Sequence, residues 1–248
     1  MKKRKQFIRL LSIASLLFAV ATACEKHGDF PSAGTVKDAD GNKYNTVKIG
    51  DQVWMVENLK TTKYNDGKPI PNVVDHDEWS DLQTGTYCKY YTVESNAEIY
   101  GRLYNGFAVL TGKLAPKGWH VPTDEDWTTL ENYLIDNKYD YDGTVGENKI
   151  AKALCAETNW ELSNEAGTPG AAPENNNSTG FIALPGGRRT WEYYWTYDSS
   201  NFVGRKGFWW SSVDRPFVQY RSLSYNGKDL VRGYCYIVDG LSVRLVKD

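Results

Sequence analysis

The chain has 248 residues, 14% of them aromatic and 24% charged, with 29 basic and 31 acidic side chains. Residues 1–23 hold five of the basic side chains and no acidic one, so the remainder carries 24 against 31 and a net charge near −7. That balance argues against nucleic acid or an anionic lipid surface as the partner, since both reward a basic face, and about 210 residues suit one domain with a sizeable core.

The amino terminus is basic at Lys2, Lys3, Arg4, Lys5 and Arg9, then apolar from Leu10 to Val20, and ends in Ala21-Thr22-Ala23-Cys24. A charged n-region, an apolar h-region and a small-residue cleavage site make an export signal. The apolar run is shorter than the roughly 20 residues that span a bilayer. The pattern resembles the bacterial lipoprotein signal, which implies cleavage before Cys24 and acylation of its thiol. An ordinary secretory peptide cut after Ala23 shares the small-residue form. Residues 24–37 lack periodicity and carry turn formers, so they read as a flexible tether between membrane and domain. The domain is expected over residues 38–248.

Within the domain, Asp40-Gly41-Asn42 marks a turn between two short strands, and Gly50-Asp51 joins the strand signals Tyr44–Ile49 and Gln52–Val56 as a hairpin. Asp75 to Asp81 holds four acids, His76 and Trp79; its reading is a solvated loop rather than a metal site. Strand signals return at Thr86–Tyr91 and Tyr100–Asn105. The clearest helix follows Pro122: Thr123 caps with Asp126 three residues on, and Trp127, Leu130 and Leu134 form an apolar stripe. A second helix is expected around Gly146–Ala156. Residues 163–179 are small and polar and read as a long loop with almost nothing to bury. Strands then follow at 180–184, 207–212, 218–223, 231–237 and 241–246, with Asn226-Gly227 and Asp239-Gly240 as hairpin turns.

Several blocks carry a resemblance. They are Tyr44–Gly50 with Gln52–Leu59, Tyr100–Asn105, Gly118-Trp119-His120-Val121-Pro122-Thr123 with Trp127, Gly180-Phe181 with Leu184–Arg189, Trp209-Trp210-Ser211-Ser212, and Ser242-Val243-Arg244. In this order they resemble the Fibrobacter succinogenes major paralogous domain, over about residues 40–248. The resemblance implies a bacterial cell-envelope protein, often a lipoprotein. The Gly118–Thr123 block with Trp127 is also similar to a segment of the formylglycine-generating sulfatase-modifying domain. That similarity implies an α+β, C-type-lectin-like fold: small twisted antiparallel sheets, two flanking helices and long loops. The family commonly places Cys after Ser-Val-Arg, where this chain has Leu245. The resemblance implies Cys88 as that cysteine's partner, which makes Cys235, on the strand before Leu245, a candidate substitute in a Cys88–Cys235 disulfide. Register decides it: one pairing sets Cys235 opposite Arg244, and a one-residue shift brings it to the face of Leu245.

No nucleophile or metal site assembles from the sequence, and the paired catalytic cysteines of the sulfatase-modifying enzymes are not reproduced. His120, beside Trp119, reads as a packing residue. The order in Pro173-Glu174-Asn175 is wrong for a sugar-binding lectin motif. Trp191, Tyr193, Tyr194, Trp195 and Tyr197 follow Arg188-Arg189 and are the candidate ligand-binding residues, because Trp and Tyr give large, rigid contact area; the same rings could equally cover the domain's own core. The expectation is a non-catalytic recognition domain, held by lipidated Cys24 at the outer membrane and exposed at the surface, binding polysaccharide or an envelope protein. It needs no cofactor and no metal. An architectural part of a surface assembly is the alternative, and an enzyme comes third.

Overall fold

A computed structural model describes residues 32–89, 94–190, 202–212 and 218–248. The architecture is α+β, with small antiparallel sheets and short helices. Strands β1 (Ser32–Lys37), β2 (Lys43–Ile49) and β3 (Gln52–Met55) form a meander. It is extended by β11 (Val246–Lys247) and β6 (Trp119–His120), in the order β1-β2-β3-β11-β6. Both expected turns are present, with Ile49 opposite Gln52 across Gly50-Asp51. Strand β1 begins inside the stretch assigned to the tether, and Val36 is already buried.

A second sheet holds β10 (Gly240–Leu241), β5 (Leu103–Asn105) and β4 (Tyr87–Cys88). A third holds β7 (Lys206–Trp210), β8 (Val218–Ser224) and β9 (Val231–Cys235). The Asn226-Gly227 segment links β8 to β9 as expected. Asp239-Gly240 does not close a hairpin: the chain turns after β9 and Gly240 pairs with Asn105 in the other sheet. The register question for Cys235 and Leu245 therefore does not arise. The expected strand at 180–184 is reduced to a single bridge between Ala183 and Cys155.

Helix α4 (Asp124–Asp136) has both halves of its capping box and buries Trp127, Leu130 and Leu134, the expected stripe. The other helices are α1 (His76–Asp81), α2 (Glu94–Tyr100), α3 (Gly106–Leu110) and α5 (Ala151–Leu154). Helix α1 corrects the loop reading of Asp75–Asp81: Asp75 caps it and Trp79 is fully buried. One apolar residue in six leaves no periodicity to read. Among the described residues no helix is long and apolar enough to cross a membrane.

The 163–179 loop also departs from expectation, because Thr168, Asn176, Asn177 and Thr179 are buried. Asn176 Nδ2 donates to Ala156 O and Pro169 O, each at 3.0 Å. The Lys152 ammonium is seated among loop carbonyls, at 2.5 Å from Ala171 O and 3.1 Å from Ala172 O. Small polar residues can anchor a loop when their partners are backbone groups.

Candidate functional site

The motif blocks converge on one buried node. Trp54 and Trp127 meet at 4.8 Å between ring centroids, and Phe181 stands edge-on to both, at 5.6 and 6.1 Å. The guanidinium of Arg244, fully buried, lies 4.3 Å over the Phe181 ring and 5.9 Å over Trp209. Burial pushes Arg244 down to about 9, the cost of a desolvated cation. Polar partners hold it there: Nη2 donates to Asn58 Oδ1 at 3.0 Å and to Ile182 O at 3.3 Å, and Nη1 donates to Phe181 O. Asn58 Oδ1 also accepts from Trp209 Nε1 at 2.9 Å, while its Nδ2 donates to Tyr100 O at 2.8 Å. Ile182 adopts φ +54°, a left-handed conformation unusual for a β-branched residue, so Arg244 clamps a strained backbone. These residues are spent on packing.

From the node the chain runs to a corner at the root of the aromatic segment. Gly187 N donates to Lys206 O at 2.8 Å and Gly204 N to Pro185 O at 3.0 Å, which ties residues 185–188 to 204–206. Gly207 must be glycine, since a Cβ would stand 2.3 Å from the Trp209 ring and 2.7 Å from Leu184 O. On this frame the Arg188 guanidinium lies over three rings: Phe208 at 4.9 Å, and Phe202 and Tyr220 each at 5.8 Å. Lys206 Nζ lies 5.5 Å from the Phe202 centroid. Burial raises the Tyr220 phenol above its ordinary value, opposed by Arg188.

Arg189 is consumed differently. It stacks 4.3 Å over Trp79 and donates to Val73 O, Val74 O and Asp75 O at 2.8 to 3.1 Å, locking α1 onto the body. The next residues, Trp191, Tyr193, Tyr194, Trp195 and Tyr197, lie outside the described residues, as does Cys24.

His120 does not pack as a ring. It is wedged between two carboxylates, with Nδ1 2.7 Å from Asp248 Oδ1 and Nε2 3.1 Å from Asp126 Oδ2. Burial pulls the imidazole down, but bonds to Asp248 and Asp126 outweigh it and the net shift is upward. Cys88, Cys155 and Cys235 are free thiols, so the Cys88–Cys235 bridge is absent. Cys88 packs with Trp79 and Leu103, whereas Cys235 packs against the separate cluster around Tyr104 and Trp210. Burial pushes the Cys88 thiol up, opposed by Arg189. No group of three or more His, Cys, Asp or Glu among the described residues is placed to hold a metal ion.

Residues 47–247 match the family model of the Fibrobacter succinogenes major domain. The chain belongs to that family. No curated protein and no solved structure matches significantly. The blocks by which a Fibrobacter succinogenes major domain is recognised in this chain thus include the residues that build the Arg244 node. Sequence reading missed the Arg188 and Lys206 corner: Arg188 sits inside a family block, but Lys206 carries no signal until Gly187 is seen bonded to its carbonyl.

Proposed function

We propose that the chain is a lipid-anchored protein of the bacterial envelope, held at the outer membrane through Cys24, with a non-catalytic, C-type-lectin-like recognition domain. The domain binds a glycan or protein at the cell surface through Trp191, Tyr193, Tyr194, Trp195 and Tyr197. The observation that carries this reading is the corner at the segment's two ends. Thr190 and Phe202 flank the aromatic run, and a backbone frame with Arg188 packed on three rings anchors both sides. Recognition residues are commonly carried on segments that a rigid scaffold positions.

The small antiparallel sheets and short helices are compatible with a lectin-like arrangement. A second reading, an architectural component of a surface assembly, is favoured by exposed apolar side chains, Leu162 at 75% and Ile99 at 49%.

Two experiments test the proposal. Cells fed labelled palmitate should label the chain, and Cys24→Ser should abolish the label; labelling that survives the substitution refutes the anchor. The chain from residue 24, carrying Cys24→Ser, should be retained by members of a glycan panel or capture an envelope protein. Co-purification with envelope proteins and no glycan retention supports the assembly reading.

A further inference from the structure

The Arg188 corner holds two cations that share one aromatic ring. Arg188 and Lys206 each stand within 6 Å of the Phe202 centroid, and among the described residues neither has a carboxylate within ion-pair distance, whereas neighbouring Arg205 pairs with Glu161 at 3.1 Å. Like charges held by a common frame repel, and the frame fixes them: the amide of Gly187, one residue before Arg188, donates to the carbonyl of Lys206. Two further polar groups lack partners. Arg188 Nε and Thr190 Oγ1 are both buried with no hydrogen bond, and such donors cost free energy until satisfied. Phe202 and Tyr220 are only half-buried, so ring surface remains beside the charges. Arg188 also bonds the Tyr220 side chain, and the buried carboxylate of Asp239 acts on the same Tyr220 and on Cys235. Against that one acid stand two cations, Arg188 and Lys206, with a partly open apolar floor.

We propose that Arg188 and Lys206, over the Phe202 ring, form an anion-binding corner that takes the carboxylate of an acidic sugar. This rests on the recognition reading above and names its ligand class. A guanidinium and an ammonium match a carboxylate in charge and in donor geometry. An aromatic floor suits the apolar face of a sugar ring. Charge beyond about 10 Å is screened at ordinary ionic strength, so the chain's overall negative charge does not cancel the local attraction for a short ligand.

The test uses the chain from residue 24 with Cys24→Ser, titrated with an oligogalacturonide, with a neutral maltooligosaccharide of equal length, and with phosphatidylglycerol vesicles. The oligogalacturonide is expected to bind about tenfold more tightly than the neutral sugar. Lys206→Gln should reduce its affinity about tenfold, the loss expected for one charge-assisted contact, and Lys206→Glu should reduce it further, with the thermal midpoint of each within a degree or two of the parent's. Lys228→Gln, which removes a lysine paired with Glu165 at 3.0 Å, should leave binding unchanged. Equal affinity for the neutral sugar, or affinity indifferent to Lys206→Gln and Lys206→Glu, overturns the inference. Vesicle binding that depends on Lys206 and exceeds sugar binding assigns the anion to lipid and also overturns it. Retention only of neutral glycans or of an envelope protein overturns the corner while the recognition reading stands; retention of nothing overturns both.

Discussion

Replacing Asn58 with alanine should test whether the Arg244 node holds the domain together. The Asn58 side chain is 3% exposed and serves four residues at once. Its Oδ1 accepts from Arg244 and from the Trp209 indole, and its Nδ2 donates to Tyr100 O and, at 3.4 Å, to Ser242 Oγ. Asn58→Ala leaves a buried indole N–H and a buried carbonyl unpaired and removes one acceptor from a desolvated guanidinium. At about 1–3 kcal/mol for each orphaned group, more for the charged one, the loss is about 4 kcal/mol. That is a large share of a typical stability of about 5–15 kcal/mol. For a domain of this size it lowers the thermal midpoint by about 8–16 °C. Asn58→Asp keeps both acceptor bonds and sets an anion against Arg244, but turns the donor into an oxygen facing the Tyr100 carbonyl at 2.8 Å, so it should also destabilise. Urea unfolding followed by tryptophan fluorescence reads both variants. A loss under about 1 kcal/mol for Asn58→Ala refutes the node.

Protonation of His120 should make stability depend on pH. Its folded pKa lies above the ordinary 6.5, so its contribution is complete below that value and fades as pH rises through the folded pKa. Asp126 is held below its ordinary 3.8 by Thr123 and His120 although burial opposes this, so its contribution fades only as pH falls through that lowered value. The parent should therefore be more resistant to urea at pH 5.5 than at pH 8.5, and His120→Ala should shrink the difference; an unchanged difference rejects the clasp. Lys152→Met should loosen the 163–179 loop by removing the ammonium bonded to Ala171 O and Ala172 O, seen as faster proteolytic nicking there with the helix signal retained. Equal nicking of parent and variant counts against that anchor. The chain from residue 24 with Cys24→Ser, unfolded without reductant, should release three alkylatable thiols, Cys88, Cys155 and Cys235, and a cross-linked Cys88–Cys235 peptide contradicts the packing described.

Local signals were legible wherever one short stretch holds its own partners. Thr123 and Asp126 cap each other within four residues, and Gly50-Asp51 closes a hairpin between strands that pair directly. Long-range placement was not legible. Gly240 looks like a hairpin glycine, yet its neighbours are Arg189, Asn105 and the Trp79 ring, where a Cβ would stand 3.0 Å away. Asn176 and Thr179 look like solvated loop residues because their acceptors are backbone carbonyls of Ala156 and Ala153, about 20 or more positions away. His120 reads as a packing residue because it stands beside Trp119 in a family block, and its carboxylate partners Asp126 and Asp248 come together with it only in the fold. For the candidate site, the family blocks were readable, but their role was not. Burial of Trp54, Asn58, Trp127, Phe181, Trp209 and Arg244 together makes them fold determinants. The recognition we propose falls to the segment between Thr190 and Phe202.

The most direct measurement of the central claim compares Trp191→Ala and Trp195→Ala with the parent chain, reading ligand retention and thermal unfolding on the same preparations. If the segment recognises a ligand, either substitution removes retention on the glycans or envelope partner that hold the parent, while the thermal midpoint stays within a few degrees. Retention that persists in both variants, or that is lost only together with the fold, contradicts the recognition account.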